Sequence, residues 1–164
     1  FGTYNYSIDG ITWQGSGNFI NLHQGTYNIR IRDAAHTSCI VTLNPPVVIT
    51  EPVQLSANVA STNVSCFGLT DGSIIITNPA GGHGSWQYSI NGGGSWENTG
   101  TYNGLAPGAY NVQIRDMAYP FCYRILNNKH VITQPSVIRA SLSSTMITCH
   151  GANDGTISIT GATG

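Results

Sequence analysis

The clearest alternation of apolar and polar positions lies in Gly108-Ala-Tyr-Asn-Val-Gln-Ile-Arg-Asp116, with Tyr110, Val112 and Ile114 on one side and Asn111, Gln113 and Arg115 on the other. A period of two is that of a half-buried strand, which assigns the first set to a core face and the second to water. The stretch occurs twice, because Gly25-Thr-Tyr-Asn-Ile-Arg-Ile-Arg-Asp33 shares six of its nine positions at a distance of 108 − 25 = 83 residues. The lead-in Leu105-Ala-Pro-Gly-Ala-Tyr110 has the form of a tyrosine corner, with Tyr27 as its counterpart. In immunoglobulin-like sandwiches that Tyr opens strand F and hydrogen-bonds to backbone just upstream.

The same offset pairs Trp13 with Trp96, Leu22 with Leu105, Cys39 with Cys122, Pro52 with Pro135 and Cys66 with Cys149. Upstream of the tryptophans it becomes 82, with Tyr6-Ser7-Ile8 matching Tyr88-Ser89-Ile90, so a residue is inserted at a hairpin tip between Asn91 and Ser95. A loop tip tolerates that change. The period divides the chain into a partial repeat over residues 1–52 lacking its first strands, a complete repeat over 53–135, and the opening strands of a third over 136–164. In the complete repeat, strands are expected over residues 55–64, 73–78, 85–90, 101–105, 108–116 and 123–133, separated by Gly and Asn clusters, and no stretch has a helical period. The predicted fold is all-β: tandem immunoglobulin-like antiparallel β-sandwich repeats of about 83 residues. Pro52-Val-Gln-Leu and Pro135-Ser-Val-Ile make short joints without Gly, hence stiff ones. The unpaired strands at either side should be completed by other copies: residues 147–161 are expected to dock on a following copy of residues 1–52, both belonging to one longer polypeptide.

Charged residues make up 8% of the chain and the formal net charge is −1, which argues against nucleic acid or an anionic membrane as partner. No apolar run approaches the roughly 20 residues that span a bilayer. With 20 Gly, 7 Pro and a single Lys, the composition suits short strands and tight turns on an exported protein.

Candidate chemistry changes this picture little. Ser89-x-Asn91-x-Gly93-x-Ser95-Trp96 and its shorter copy Ser7-x-Asp9-Gly-x-Thr12-Trp13 resemble the Asp-box hairpin of sialidase propeller blades. Blades recur at about 40 to 50 residues, so Trp13 and Trp96 are assigned structural roles at hairpin tips. The five His residues, 23, 36, 83, 130 and 150, pair with Ala106, Tyr119, Phe1, Val47 and Phe67, so none recurs between copies. Zinc needs three or four converging ligands and calcium several close carboxylates; Asp71-Gly72 and Asp154-Gly155 are therefore assigned to turns, and no metal or other cofactor is expected. No Ser, His and acid recur together and no carboxylate pair is kept between copies, so no enzyme is expected. Tyr4, Trp86, Tyr102 and Tyr119 are the residues a sugar-stacking surface would use if exposed. The small core of an exported domain favours a Cys66–Cys122 disulfide, with Cys39 and Cys149 bonded to adjacent repeats. The rival pairing is Cys39 with Cys66 and Cys122 with Cys149.

Cys66-Phe-Gly-Leu-Thr-Asp-Gly-Ser-Ile, Tyr88-Ser-Ile-Asn-Gly, Leu105-Ala-Pro-Gly-Ala-Tyr110, Arg115-Asp116 before Cys122, and Ile132-Thr-Gln-Pro135 together resemble the SprB repeats of Bacteroidetes surface adhesins. The resemblance implies very long secreted cell-surface proteins, among them mobile gliding adhesins exported by the type IX pathway. Asp116-Met-Ala-Tyr-Pro-Phe-Cys122 and Asp33-Ala-Ala-His-Thr-Ser-Cys39 depart from the family's shorter Asp-Ala-Asn-Gly-Cys turn. Surface pairs such as Ser85/Thr3, Gln87/Asn5 and Glu97/Gln14 drift between copies while core positions hold. The expected function is a structural repeat that extends and stiffens a fibre, its partners being adjacent repeats or neighbouring subunits. A carbohydrate-binding module gripping surface polysaccharide is the alternative.

Overall fold

The computed structural model describes residues 2–164. The chain is all-β, with antiparallel sheets and no helix among the described residues, hence none long and apolar enough to cross a membrane. It divides into two compact units, Phe1–Pro52 and Val53–Gly164.

In the first unit, β1 (Tyr4–Ser7), β2 (Gly25–Tyr27), β3 (Arg30–Asp33), β4 (Ile40–Thr42) and β5 (Val47–Ile49) form a sheet in the order β1-β3-β4 and a two-stranded β2-β5 pair. The alternation in residues 25–33 that suggested one strand is interrupted at Asn28 and Ile29.

The second unit opens with β6 (Ser56–Thr62), β7 (Gly72–Ala80), β8 (Trp86–Ser89), β9 (Thr101–Leu105), β10 (Gly108–Asp116) and β11 (Tyr123–Ile132). Two three-stranded sheets result, β6-β7-β9 and β11-β10-β8. Their apolar faces meet in one core of Leu55, Val64, Ile74, Ile76, Tyr88, Val112, Ile114 and Ile132. Alternation explains the membership: Ile74 and Ile76 on one sheet, and Val112 and Ile114 on the other, are spaced by two. Gly72 is needed where the sheets close, because an added Cβ would lie 2.9 Å from both the Leu105 carbonyl oxygen and the Ile132 Cγ2. A final hairpin, β12 (Arg139–Thr145) with β13 (Thr156–Thr163), is solvent-exposed along its whole length.

Two expectations about faces are corrected. Gln113, assigned to water, is buried, because the hairpin tip after β8 folds over it: an added Cβ at Gly93 would lie 3.3 Å from its Oε1. Trp86 and Tyr102, candidates for an exposed aromatic surface, pack against the core; Trp86 donates its indole N–H to the Gly81 carbonyl at 3.0 Å. Burial, and then the nearby Glu97 carboxylate and Tyr88, push the Tyr102 phenol up to about 12.

The chain path through residues 53–135 has a direction. Val53 accepts a hydrogen bond from the Gly82 amide, next to His83 and Asp116, so the repeat is entered at that end. The exit is at the other end, where the Val64 amide bonds to the Thr133 carbonyl and the Gly68 amide to the Gln134 side chain. The 10 residues of β11 connect the two ends, a span of about 30 Å.

Candidate functional site

Two polar devices recur in the two units and a third recurs within the second unit, and each uses a short side chain that turns back on nearby backbone. At the tip after β8, buried Ser89 donates its hydroxyl to Asn91 Oδ1 at 2.8 Å and accepts from the Gly93 amide at 2.9 Å. Asn91 in turn accepts from the Ser95 amide at 3.0 Å and donates to Ser95 Oγ at 3.0 Å. Gly92 and Gly93 take φ of +74° and +90°, where a side chain is strained. The tip holds Trp96 against the sheet, and the Arg115 guanidinium lies 4.4 Å above its ring while donating to Gln87 Oε1 at 2.9 and 2.6 Å.

The first unit makes the same tip from other residues. Ser7 donates to Asp9 Oδ1 at 2.9 Å, and the Asp9 carboxylate accepts from the Ile11 and Thr12 amides, each at 2.8 Å, and from the Thr12 hydroxyl at 2.7 Å. The Thr12 hydroxyl, then the two amides and Ser7, hold the Asp9 carboxyl well below the usual carboxylate range. Arg32 covers Trp13 at 4.3 Å. Donors and acceptors in both tips are spent on each other, and the Trp faces on Arg.

The second device follows the duplicated strand. Asp116 is fully buried and accepts from the His83 amide at 2.6 Å, His83 Nδ1 at 2.9 Å, the Ala118 amide at 2.8 Å and the Tyr119 amide at 3.2 Å. Burial alone would raise its pKa, but the bonds from His83 and the amides lower it below the ordinary value. His83 stacks on Tyr119 with ring centroids 4.4 Å apart. In the first unit Asp33 accepts from the Ala35 and His36 amides at 2.7 and 2.9 Å, with the His36 ring 3.5 Å away. His83 was missed because it has no His counterpart: its match, Phe1, lies outside the described residues. Only the fold brings it to Asp116, where Gly82 leaves room for the carboxylate: an added Cβ there would lie 2.4 Å from Asp116 Oδ2.

The third device is the turn carrying Cys66 and Cys149. Asp71 accepts from the Ser65 amide at 3.0 Å and its hydroxyl at 2.5 Å; Asp154 accepts from the Thr148 amide at 3.0 Å and from the Thr148 hydroxyl. Gly155, like Gly72, stands where an added Cβ would be tight, 3.3 Å from Ile147. Beside this turn a groove of about 510 Å3 is lined by Cys66, Phe67, Pro135, Val137, Ile138 and Gly164. Tyr110 donates its hydroxyl to the Ala106 carbonyl and Tyr27 to the His23 carbonyl, both at 2.8 Å, as a tyrosine corner requires.

All four cysteines are free and exposed, so the expected Cys66–Cys122 bond is not made. The chain path gives the reason. Cys122 immediately precedes β11 and Cys66 sits by the turn where β11 ends, about 30 Å away, whereas a disulfide needs Cα atoms within about 7 Å.

Among known families, residues 58–95, which run from β6 through the tip after β8, match the family model of the SprB repeat. No curated protein and no solved structure matches the chain.

Proposed function

We propose, from the premise that this chain carries a SprB repeat and that such repeats occur in cell-surface, adhesin-like proteins, that it is a structural segment extending and stiffening a surface fibre. The observation that carries the reading is the direction of the path. Residues 53–135 are entered at the His83 end and left at the Cys66 end, so each repeat added in tandem contributes a length of about 30 Å instead of folding back. Gln134, bonded to the Gly68 amide, holds the exit against the body of the repeat.

Catalysis has no part in this reading, which takes secretion to the surface by the type IX route from what the family resemblance implies. Polysaccharide is the less favoured partner. Of the four aromatics proposed to stack sugars, Trp86 and Tyr102 pack against the core, and the exposed pair, Tyr4 and Tyr119, lie in different units, with Tyr119 already stacked on His83. The test is small-angle scattering on chains carrying one, two and four tandem copies of residues 53–135. Growth of the longest dimension by about 30 Å per copy supports a stiff fibre. Growth with the square root of copy number rejects it, and saturable glycan binding by the 164-residue chain rejects the purely structural role.

A further inference from the structure

Five places in the chain set an Asn or Asp directly before a Gly: Asp9, Asp71, Asn91, Asn103 and Asp154. Such pairs share one chemistry. With no Cβ in the way, the Gly amide nitrogen can reach the side-chain carbonyl carbon of the residue before it and close a five-membered imide ring. The ring closes only where that side chain is free to swing towards the nitrogen.

In four of the five the side chain is tied down. Asp9 accepts from the Thr12 and Ser7 hydroxyls and from the Ile11 and Thr12 amides. Asp71 is held by the Ser65 hydroxyl and amide, and Asp154 by those of Thr148. These bonds, the hydroxyls of Thr12, Ser65 and Thr148 first, hold the three carboxyls below the usual carboxylate range. They therefore stay ionised, and a carboxylate is a poor target for a nitrogen nucleophile. Asn91 carries an amide, a better electrophile, but it accepts from the Ser89 hydroxyl and the Ser95 amide and donates to Ser95 Oγ. The nitrogen that would attack it, the Gly92 amide, is spent on the Asn111 carbonyl at 3.0 Å.

Asn103 differs on each count. Its side chain is exposed, and no hydrogen bond among the described residues engages it. Strand β9 meets β7 with Leu105 facing Gly72 and Tyr102 facing Ile74, so Asn103 and Gly104 together stand against Ser73 alone. This is a β-bulge, whose extra residue has no partner in the ladder. Gly104 takes φ of +70°, and a Cβ added there would meet only the Thr70 carbonyl oxygen, at 3.7 Å, so the space around the Asn103–Gly104 bond is open.

We propose that Asn103 is a site of covalent modification, deamidating through a cyclic imide while the other four pairs stay intact. The Gly104 nitrogen bonds to Asn103 Cγ, the Cγ–Nδ2 bond breaks, and the side-chain nitrogen leaves as ammonia with the proton that the Gly104 amide gives up. Water then opens the ring at either carbonyl, giving an aspartate or an isoaspartate with one more methylene in the backbone. No oxidant or cofactor takes part. Each event adds one negative charge, taking the formal net charge from −1 to −1 − 1 = −2. The altered backbone falls in the bulge, so no paired residue of β9 is lost.

The test incubates the 164-residue chain, folded and in urea, in mildly alkaline buffer. Peptide mass spectrometry follows Asn91 and Asn103, and isoelectric focusing follows the intact chain. The rates in urea give the reference for each Asn without its surroundings. Relative to that reference, folding should slow Asn91 by on the order of tenfold more than Asn103, because the bonds that hold Asn91 must open before it reacts. Asn103→Gln, whose longer side chain does not close the five-membered ring, should leave the folded chain without its acidic form. Folding that slows both sites alike overturns the proposal, as does an acidic form that persists in Asn103→Gln, or an Asn103 that reacts in urea and stays unchanged in the folded chain.

Discussion

Ile74 and Ile157 occupy the same place in two copies of one hairpin, and truncating each to Ala separates the contribution of the cover from that of the hairpin itself. Ile74 is fully buried among Val112, Ile114 and Ile132. The change to Ala removes three buried carbons, roughly 2.4 kcal/mol at about 0.8 kcal/mol each. The cavity left behind raises the cost, which falls within the range of about 2–5 kcal/mol seen for such truncations. Ile157 is 80% exposed, and its loss should change stability by less than about 0.5 kcal/mol. Urea unfolding followed by tryptophan fluorescence in a Trp13→Phe background reports the complete repeat through Trp86 and Trp96. The Ile74→Ala midpoint should fall at unchanged slope, with a thermal midpoint lower by about 10 °C or more at about 4–8 °C per kcal/mol. Should Ile74→Ala fail to fold, Ile74→Val gives the graded version at about 0.5–1.5 kcal/mol. Equal losses at the two positions would refute the assignment of one hairpin as covered and the other as open.

Two further outcomes follow from the polar devices. Tyr110→Phe deletes the 2.8 Å bond to the Ala106 carbonyl and should cost about 1 kcal/mol in the same urea assay, with an unchanged midpoint counting against the tyrosine corner as a stabilising contact. The folded-state pKa values of Asp71 and Asp116 are lowered, so their stabilisation is present above the unfolded carboxylate value of about 4 and is lost as pH falls through the folded values. The complete repeat should therefore lose stability on acidification below about pH 4, and Asp116→Asn should flatten that dependence; an unchanged acid profile in the variant would remove Asp116 from the account.

The strands and the repeat were legible because both are periodic: Val112 and Ile114 announce a sheet face, and the duplicate at residues 25–33 announces a second copy. The 101–105 segment was legible for the same reason, yet its counterpart at 18–22 was not, since a strand exists only where a partner pairs with it. Other features were invisible because they depend on where chain ends of a strand point in space. Cys66 and Cys122 are separated by a plausible loop in sequence, and only the path of β11 puts them at opposite ends of the sandwich. Gln113 reads as polar and water-facing, and it is buried only because the tip after β8, distant in sequence, folds over it.

The two hairpin tips carry the last step of the functional argument. Asn91 and Asp9 hold the same position, and the oxygen of each, one amide and one carboxylate, accepts the preceding Ser hydroxyl and a backbone amide of the following turn. Ser95 and Thr12, likewise, supply the facing hydroxyl from loops that differ by one residue. A group needed for proton transfer is not interchangeable with a neutral isostere, because an amide neither takes up nor releases the proton. A group needed only to accept backbone N–H bonds is interchangeable, because amide and carboxylate oxygens accept alike. The chemistry has changed between the copies while the Trp and the Arg that covers it have stayed, which is the pattern of a part whose task is to hold a turn in place.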